Sequence, residues 1–370
     1  MLAQSADAAK RAAEQRRAIA YTASMRTDPM PTRYLVPPSL TGPGGEPRRV
    51  GFEFEMGNLQ VTRAAQALQS ALGGKLEVLS PFEAVLTQSS LGKLKIERDA
   101  QLLKSTVYRK WLTQFGVNFA PGTLAHEIET NIDSVSRVLI PCEVVTEPIP
   151  FDALAGLDDL VETLKALGAE GTQESLIYAF GMHINPSIPG AGADILGRYI
   201  QAFLLLHGWI IEYAEIDLTR RFLTKYIDPY PRPYMERVLA RDYQPDLDTL
   251  IDDYLAFNPT RNRALDMLPV FCTLDEERVR KALGEDEQRL VSARPAFHYR
   301  LPDCKVDVPG WSAAQAWNLW VYIETLAADR ALLDELKDEW RRFSGDFSLS
   351  PRSEWTARLT SILSCKFFER

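Results

Sequence analysis

Residues 51–56 read GFEFEM, and this hexapeptide decides the fold: Glu53 and Glu55 share one parity while Phe52, Phe54 and Met56 take the other. Successive side chains of a β-strand point to opposite faces. A strand here therefore aims both carboxylates at one face, ~7 Å apart at about 3.3 Å per residue, and its apolar side chains at the other. Taken alone, such a segment is explained by a solvated acidic face. Outward from it, the pattern recurs four times. KLKIERD (93–99) places Glu97 and Asp99 on one parity, and PCEVVTEP (141–148) does the same for Glu143 and Glu147. FGMHINP (180–186) pairs His183 with Asn185, and FHYRLP (297–302) pairs His298 with Arg300. The alternate positions Ile96, Val144, Met182, Ile184, Phe297, Tyr299 and Leu301 are apolar, with Arg98 the exception. One shared site accounts for five such segments better than five unrelated wet faces do.

Two carboxylates ~7 Å apart repel by roughly 2 kcal/mol at an effective dielectric of 20, so several of them facing one cavity require cations. Oxygen ligands joined by one or two imidazoles suit Mg²⁺ or Mn²⁺, whereas a dedicated zinc site draws on more His or Cys. Glu53, Glu55, Glu97, Asp99, Glu143, His183 and His298 are the candidate ligands. Arg300 is then expected to face phosphate.

The chain has 370 residues, 46% hydrophobic and 25% charged, which excludes disorder as a whole-chain description and supplies a sizeable core. A net charge of −8 without a Lys/Arg stripe disfavours nucleic acid as partner. No run of 18 apolar residues is present, so no membrane span is expected, and the first 26 residues lack the apolar middle of a secretory signal. Cys142, Cys272, Cys304 and Cys365 lie far apart with no CxxC pair, as fits free thiols in the cytoplasm.

Residues 28–48 hold six prolines and three glycines and read as an arm, preceded by a solvated helix. A catalytic body is expected over 49–310, and helices packed on it over 311–370. Strands are predicted at 50–56, 75–79, 93–99, 138–145, 175–185 and 294–301. Helices are predicted over 61–72, closed by Gly73 and Gly74, from Asp152 as cap to Gly168, and over 194–223, 247–257, 276–283, 311–326, 330–343 and 351–368. Strands and helices do not alternate singly, so the fold class is α+β with a mainly antiparallel sheet.

The ordered segments GFEFE, LGKLKIERD, EVVTEPIP, FGMHINP, DPYPRPY, NPTRNRALDMLP and FHYR, spread over residues 49–320, resemble the amidoligase family of carboxylate-amine ligases, relatives of glutamine synthetase and glutamate-cysteine ligase. The resemblance implies a curved antiparallel sheet whose polar concave face binds ATP and Mg²⁺, with helices on the outer face. It also implies a reaction that phosphorylates a carboxylate and lets an amine displace the phosphate. By the same resemblance Glu53 and Glu55 match the ExE metal ligands, Glu143 and His183 match two further ligands, and Glu97 and Asp99 match a more variable acidic strand. His298 and Arg300 take the place of an ExR pair, Arg300 with the phosphate role. Asn185 stands where many relatives have a second histidine, and Glu147 where proline is common. A glutamate-like γ-carboxyl donor and a small or peptide amine are the implied substrates; the oligomeric state stays open.

An amine that attacks an acyl phosphate must lose a proton, and Glu147, on the parity of Glu143, is the candidate base. Arg261 and Arg263 either receive phosphate or cap an acidic neighbour; Asn185 and Arg232 are further candidate nucleotide contacts. His126 and His207 read as ordinary histidines, Cys142 as a buried thiol, and Trp311, Trp317 and Trp320 as a packing face. No P-loop and no GxGxxG turn is present. A metal-dependent hydrolase with the same acidic site, and a noncatalytic nucleotide-binding protein, remain the alternatives to a ligase.

Overall fold

Strand β1 (Arg49–Met56) occupies the middle of the sheet because both of its edges are used. It pairs antiparallel with β5 (Cys142–Thr146) on one side and β7 (Met182–Pro186) on the other, while β6 (Ile149–Pro150) pairs with its beginning. The computed structural model describes residues 30–98, 141–171, 180–217, 227–345 and 352–363. Beyond β5 follow β4 (Gly92–Glu97), β3 (Glu83–Ser89) and the end strand β2 (Lys75–Ser80). Beyond β7 come the two-residue strands β9 (His298–Tyr299) and β8 (Leu265–Asp266). Every strand ladder is antiparallel, and the sheet is open, with β2 and β8 at its ends.

The parity read from the sequence separates the two faces. Phe52, Phe54, Met56, Leu94, Ile96, Val144 and Ile184 are buried, whereas Glu53, Glu55, Glu97 and Glu143 are half-buried on the opposite side. Helices cover the apolar side. Helix α1 (Val61–Leu72) sets Ala64, Ala65 and Leu68 toward β2, β3 and β4, and stops where Gly73 and Gly74 take φ of 71° and 94°. At Gly74 a Cβ would lie 2.4 Å from the Thr87 carbonyl oxygen, so only glycine closes this turn. After α2 (Gly156–Ala166), the long helix α3 (Ala193–Tyr213) stacks Tyr199 on Phe297 at 4.7 Å. Then come α4 (Arg232–Val238), α5 (Leu247–Phe257), α6 (Leu268–Leu274), α7 (Glu276–Ala282) and α8 (Glu285–Leu290). Helix α9 (Ala313–Ala328) brings Trp317 to Phe52 at 6.3 Å and Trp320 to Phe297 at 5.1 Å, and α10 (Arg330–Gly345) and α11 (Arg352–Leu363) follow it. The tryptophans thus pack on the body, as their spacing predicts.

The Pro-rich arm is stitched to α9. Leu35 N–H donates to Asn318 Oδ1 at 2.9 Å, Trp317 Nε1 donates to the Leu35 carbonyl at 2.8 Å, and Asn318 Nδ2 donates to the carbonyls of Pro31 and Arg33. Just before β1, Arg48 forms a two-pronged pair with Glu324 of α9 at 2.8 and 2.6 Å, both side chains being fully buried.

Several boundaries differ from the sequence expectation. Strand β3 was not foreseen, although Ala84 and Leu86 carry its buried parity. The strand expected over 294–301 shrinks to His298–Tyr299, since Pro295 has no N–H to give a ladder. Asp152 falls in a single 3₁₀ turn and does not cap α2, whose N-cap is Ala155. Helix α3 ends at Tyr213, with the chain turning at Glu215 (φ 49°). Arg98, the exception to the alternation, lies just past β4, buried, with its guanidinium on the Leu59 carbonyl. Positions 99, 126, 138–140, 175–179, 218–223, 364–368 and the predicted N-terminal helix lie outside the described residues.

Candidate metal centre

The registers of β1, β7, β9 and β8 assemble the centre. Glu53 lies directly opposite His183 in the β1/β7 ladder, and His183 Nδ1 is 2.9 Å from Glu53 Oε2. Asn185, next on the same face, donates through Nδ2 to Glu53 Oε1 at 2.8 Å. Two residues along β1, Glu55 accepts the Gly181 N–H at 2.7 Å, with its other oxygen 3.8 Å from His183 Nε2. His298 of β9 faces Asp266 of β8, with Nδ1 3.4 Å from Asp266 Oδ2. The two imidazoles meet edge to face at 5.2 Å. Glu53, His183 and His298 each offer one ligand atom, all within 4.8 Å of one another.

Burial leaves the cluster unsatisfied. His183 is 6% exposed and His298 2%, and Nε2 of each is shut from solvent with no hydrogen-bond partner among the described residues. A buried unsatisfied nitrogen costs desolvation energy unless something arrives to use it. Burial pushes His298 down to about 4, with Arg300 and His183 adding to the shift against the hydrogen bond that His298 gives to Asp266. At neutral pH its imidazole is therefore uncharged, the form that binds metal. Burial alone would raise the Glu53 carboxyl. The His183 hydrogen bond, with the electrostatic pull of the two neighbouring imidazoles and of the Arg294 guanidinium, outweighs it and holds Glu53 well below the usual carboxylate range. A standing carboxylate beside two imidazole nitrogens without hydrogen bonds among the described residues is a donor set that fits a divalent cation.

Next to this cluster runs a row of acids. Glu83 of β3 stands opposite Glu97 of β4, Glu97 opposite Glu143 of β5, and Glu143 opposite Glu55 of β1. Like charges directly across a ladder destabilise it. Lys95 offsets part of this, with Nζ 2.6 Å from Glu97 and 3.6 Å from Glu83. Glu97, Glu143, Glu55 and Glu53 thus share one face of three adjacent strands, and Asp99 lies outside the described residues.

The arginines separate into two groups. Arg300 is buried beside the histidines and donates from Nη1 to the Arg261 carbonyl at 2.8 Å, while Arg261 Nε lies 3.7 Å from Asp266 Oδ2. Arg263 instead binds Asn258 Oδ1 and the carbonyls of Pro229 and Phe257, and its guanidinium lies 5.8 Å from the Tyr230 ring centroid. Arg232 is exposed on α4 and pairs with Glu236 one turn on. Glu147 lies four residues beyond Glu143, ~13 Å along the strand direction. It folds over the β3–β4 turn, where a Cβ on Gly92 would meet its Oε1 at 2.0 Å. Cys142 is buried and its thiol is pushed up to about 12 by that burial, which leaves it no role as a nucleophile.

Sequence reasoning missed Glu83, Asp266 and Arg294, the last with Nη1 3.9 Å from Glu53 Oε1. Asp266 sits within NPTRNRALDMLP, where a two-residue strand leaves too little alternation to detect. Glu83 had a legible signal in the alternation of FEAVL.

Among the described residues no helix is long and apolar enough to cross a membrane. Comparison with curated proteins and with solved structures gave no significant match. The model of the family described as "Putative amidoligase enzyme" matches residues 46–322, a span that holds β1 to β9 and every residue of the centre. That span is well over half of the chain and contains the motifs in the order read from the sequence, so the chain belongs to the amidoligase family.

Proposed function

We propose that this protein is an ATP-dependent carboxylate-amine ligase that forms an amide through an acyl phosphate, using divalent metal held by Glu53, His183 and His298 with Glu55, Glu143 and Glu97 alongside. The observation that carries this reading is the pair of buried imidazoles with uncommitted Nε2 atoms next to an ionised Glu53, inside the family segment. The acidic face takes the part of the concave catalytic face of glutamine synthetase.

The chemistry follows from what a carboxylate lacks. Its leaving group would be oxide, so the γ-phosphoryl group of ATP must first be transferred to it; the amine then attacks the acyl carbon and phosphate departs. Metal supplies charge neutralisation for the phosphate oxygens. Arg300, fixed by the Arg261 carbonyl, presents a guanidinium fork at the edge of the same cluster. Asn185 holds Glu53 in orientation, and Arg294 at the mouth, 42% exposed, is placed to meet an incoming anion. Glu97, Glu143 and Glu55 give an acidic lane along which an ammonium is attracted, and one of these carboxylates takes the proton the amine must lose.

The test is ADP formation with Mg²⁺ or Mn²⁺ against an array of paired acids and amines. ADP release that requires both members of a pair is the expected result. Phosphate release that needs water alone would overturn the ligase reading and favour a hydrolase.

A further inference from the structure

Both histidines of the centre have a carboxylate at Nδ1, Glu53 being itself a member of the ligand group and Asp266 lying outside it, and Mg²⁺ chemistry does not ask for that construction. His183 has its Nδ1 at 2.9 Å from a carboxylate, Glu53, and His298 has its Nδ1 at 3.4 Å from another, Asp266. An imidazole whose Nδ1–H donates to a carboxylate keeps its lone pair on Nε2 and becomes a stronger base, the arrangement that backs metal-bound histidines. In each ring Nε2 is buried and without a hydrogen bond among the described residues. Asp266 is itself fully buried, and the Leu268 N–H fixes its other oxygen at 3.0 Å. A buried carboxylate braced in this way serves one direction of the His298 ring.

The donor set is then one ring nitrogen from each imidazole and one Glu53 oxygen, within 4.8 Å of one another, with Glu55 Oε1 3.8 Å from His183 Nε2. Mg²⁺ takes oxygen and sheds its waters reluctantly, whereas imidazole suits the first transition row. We propose that this centre selects a divalent ion that accepts nitrogen ligands, of the Mn²⁺ to Zn²⁺ class, over Mg²⁺, and that Asp266 is the positioning residue that sets His298 for it. The inference rests on the metal-binding part of the proposed function, and it narrows the metal without involving the substrates.

The full-length protein is titrated with Mn²⁺, followed by electron paramagnetic resonance, and Mg²⁺ is then added in competition. The expected result is one tight Mn²⁺ that yields to Mg²⁺ only at more than about tenfold excess, with electron spin-echo modulation from two imidazole nitrogens. His298→Gln should leave one coupled nitrogen. Asp266→Asn should weaken Mn²⁺ by about tenfold or more, with thermal unfolding confirming that the variant is folded. If His298→Gln fails to fold, the nitrogen count and the competition on the unaltered protein decide. Equal displacement by Mg²⁺, or no nitrogen coupling, would overturn the selectivity and leave the ligase reading standing. Failure of both ions to bind would overturn the metal centre itself.

Discussion

Two places in this molecule bury a carboxylate beside positively charged or ionisable nitrogen, and they are built to opposite ends. At the junction of arm and α9, every side-chain nitrogen of Arg48 and both oxygens of Glu324 are engaged. Arg48 gives two hydrogen bonds to Glu324, one to the Ser187 carbonyl at 2.7 Å and one to the Ser39 carbonyl at 2.8 Å, and Trp320 Nε1 adds 2.6 Å to Glu324. At the centre, Glu53 is similarly surrounded, but His183 and His298 each keep one nitrogen idle. A fully satisfied pair has nothing left to bind, so its role is structural. The incomplete set carries an energetic cost that a ligand can relieve, and on that the proposed metal site rests.

Removing one charge from each place should give losses of different size. Arg48→Met leaves Glu324 buried and unpaired and should cost about 3–5 kcal/mol in urea denaturation. Glu53→Gln should cost less, about 1–3 kcal/mol without metal, since the amide oxygen can still accept one of the two hydrogen bonds that Glu53 takes from Asn185 and His183. Equal losses would mean that the centre is structural too.

Acid should separate the two places next. His298 titrates near 4 in the fold against 6.5 for the free side chain, so the unfolded chain binds more protons between those values. Stability is then fully present above pH 6.5 and falls as pH drops toward 4, by about 3 kcal/mol for this group. Glu53, with its lowered value, keeps its contribution until pH falls below the usual carboxylate range. Equilibrium unfolding of the metal-free protein from pH 7 to 4 measures the slope, and His298→Gln should flatten it.

Metal affinity sharpens the contrast from the other side. Glu53→Gln should weaken Mn²⁺ binding by about tenfold or more in calorimetric titration, while the Arg48–Glu324 pair contributes nothing to that readout in variants that fold. The smallest effect belongs to the acid row. Lys95→Met removes the cation between Glu83 and Glu97 and should cost at most about 1 kcal/mol, given that Lys95 is 41% exposed. Raising salt should shrink that loss.

The centre was more legible in the sequence than the frame around it. Parity alone placed Glu53, Glu55, Glu97, Glu143, His183 and His298 on one face, because a buried apolar side forces the alternation to be strict. Short elements escaped for the same reason in reverse. Asp266 lies in a strand of two residues, and Arg294 precedes a proline outside any ladder, so neither had a period to betray it. The partners of Arg263 were equally hidden: Asn258 lies within the same motif, but the Pro229 and Phe257 carbonyls come into reach only through the fold. Pattern reports which face a side chain takes, and hydrogen-bond closure reports whether it is still available.

The belt formed by residues 31–48 has a practical corollary for anyone trimming this chain. The family span ends two positions before Glu324, so a fragment cut to 46–322 would keep Arg48 and discard the acid that neutralises it. It would also shed Leu35, whose backbone clasps Trp317 and Asn318. Such an excised piece would begin life with an orphan guanidinium in its interior; a portable version of this fold has to start upstream of Pro31 and run past the last turn of α9.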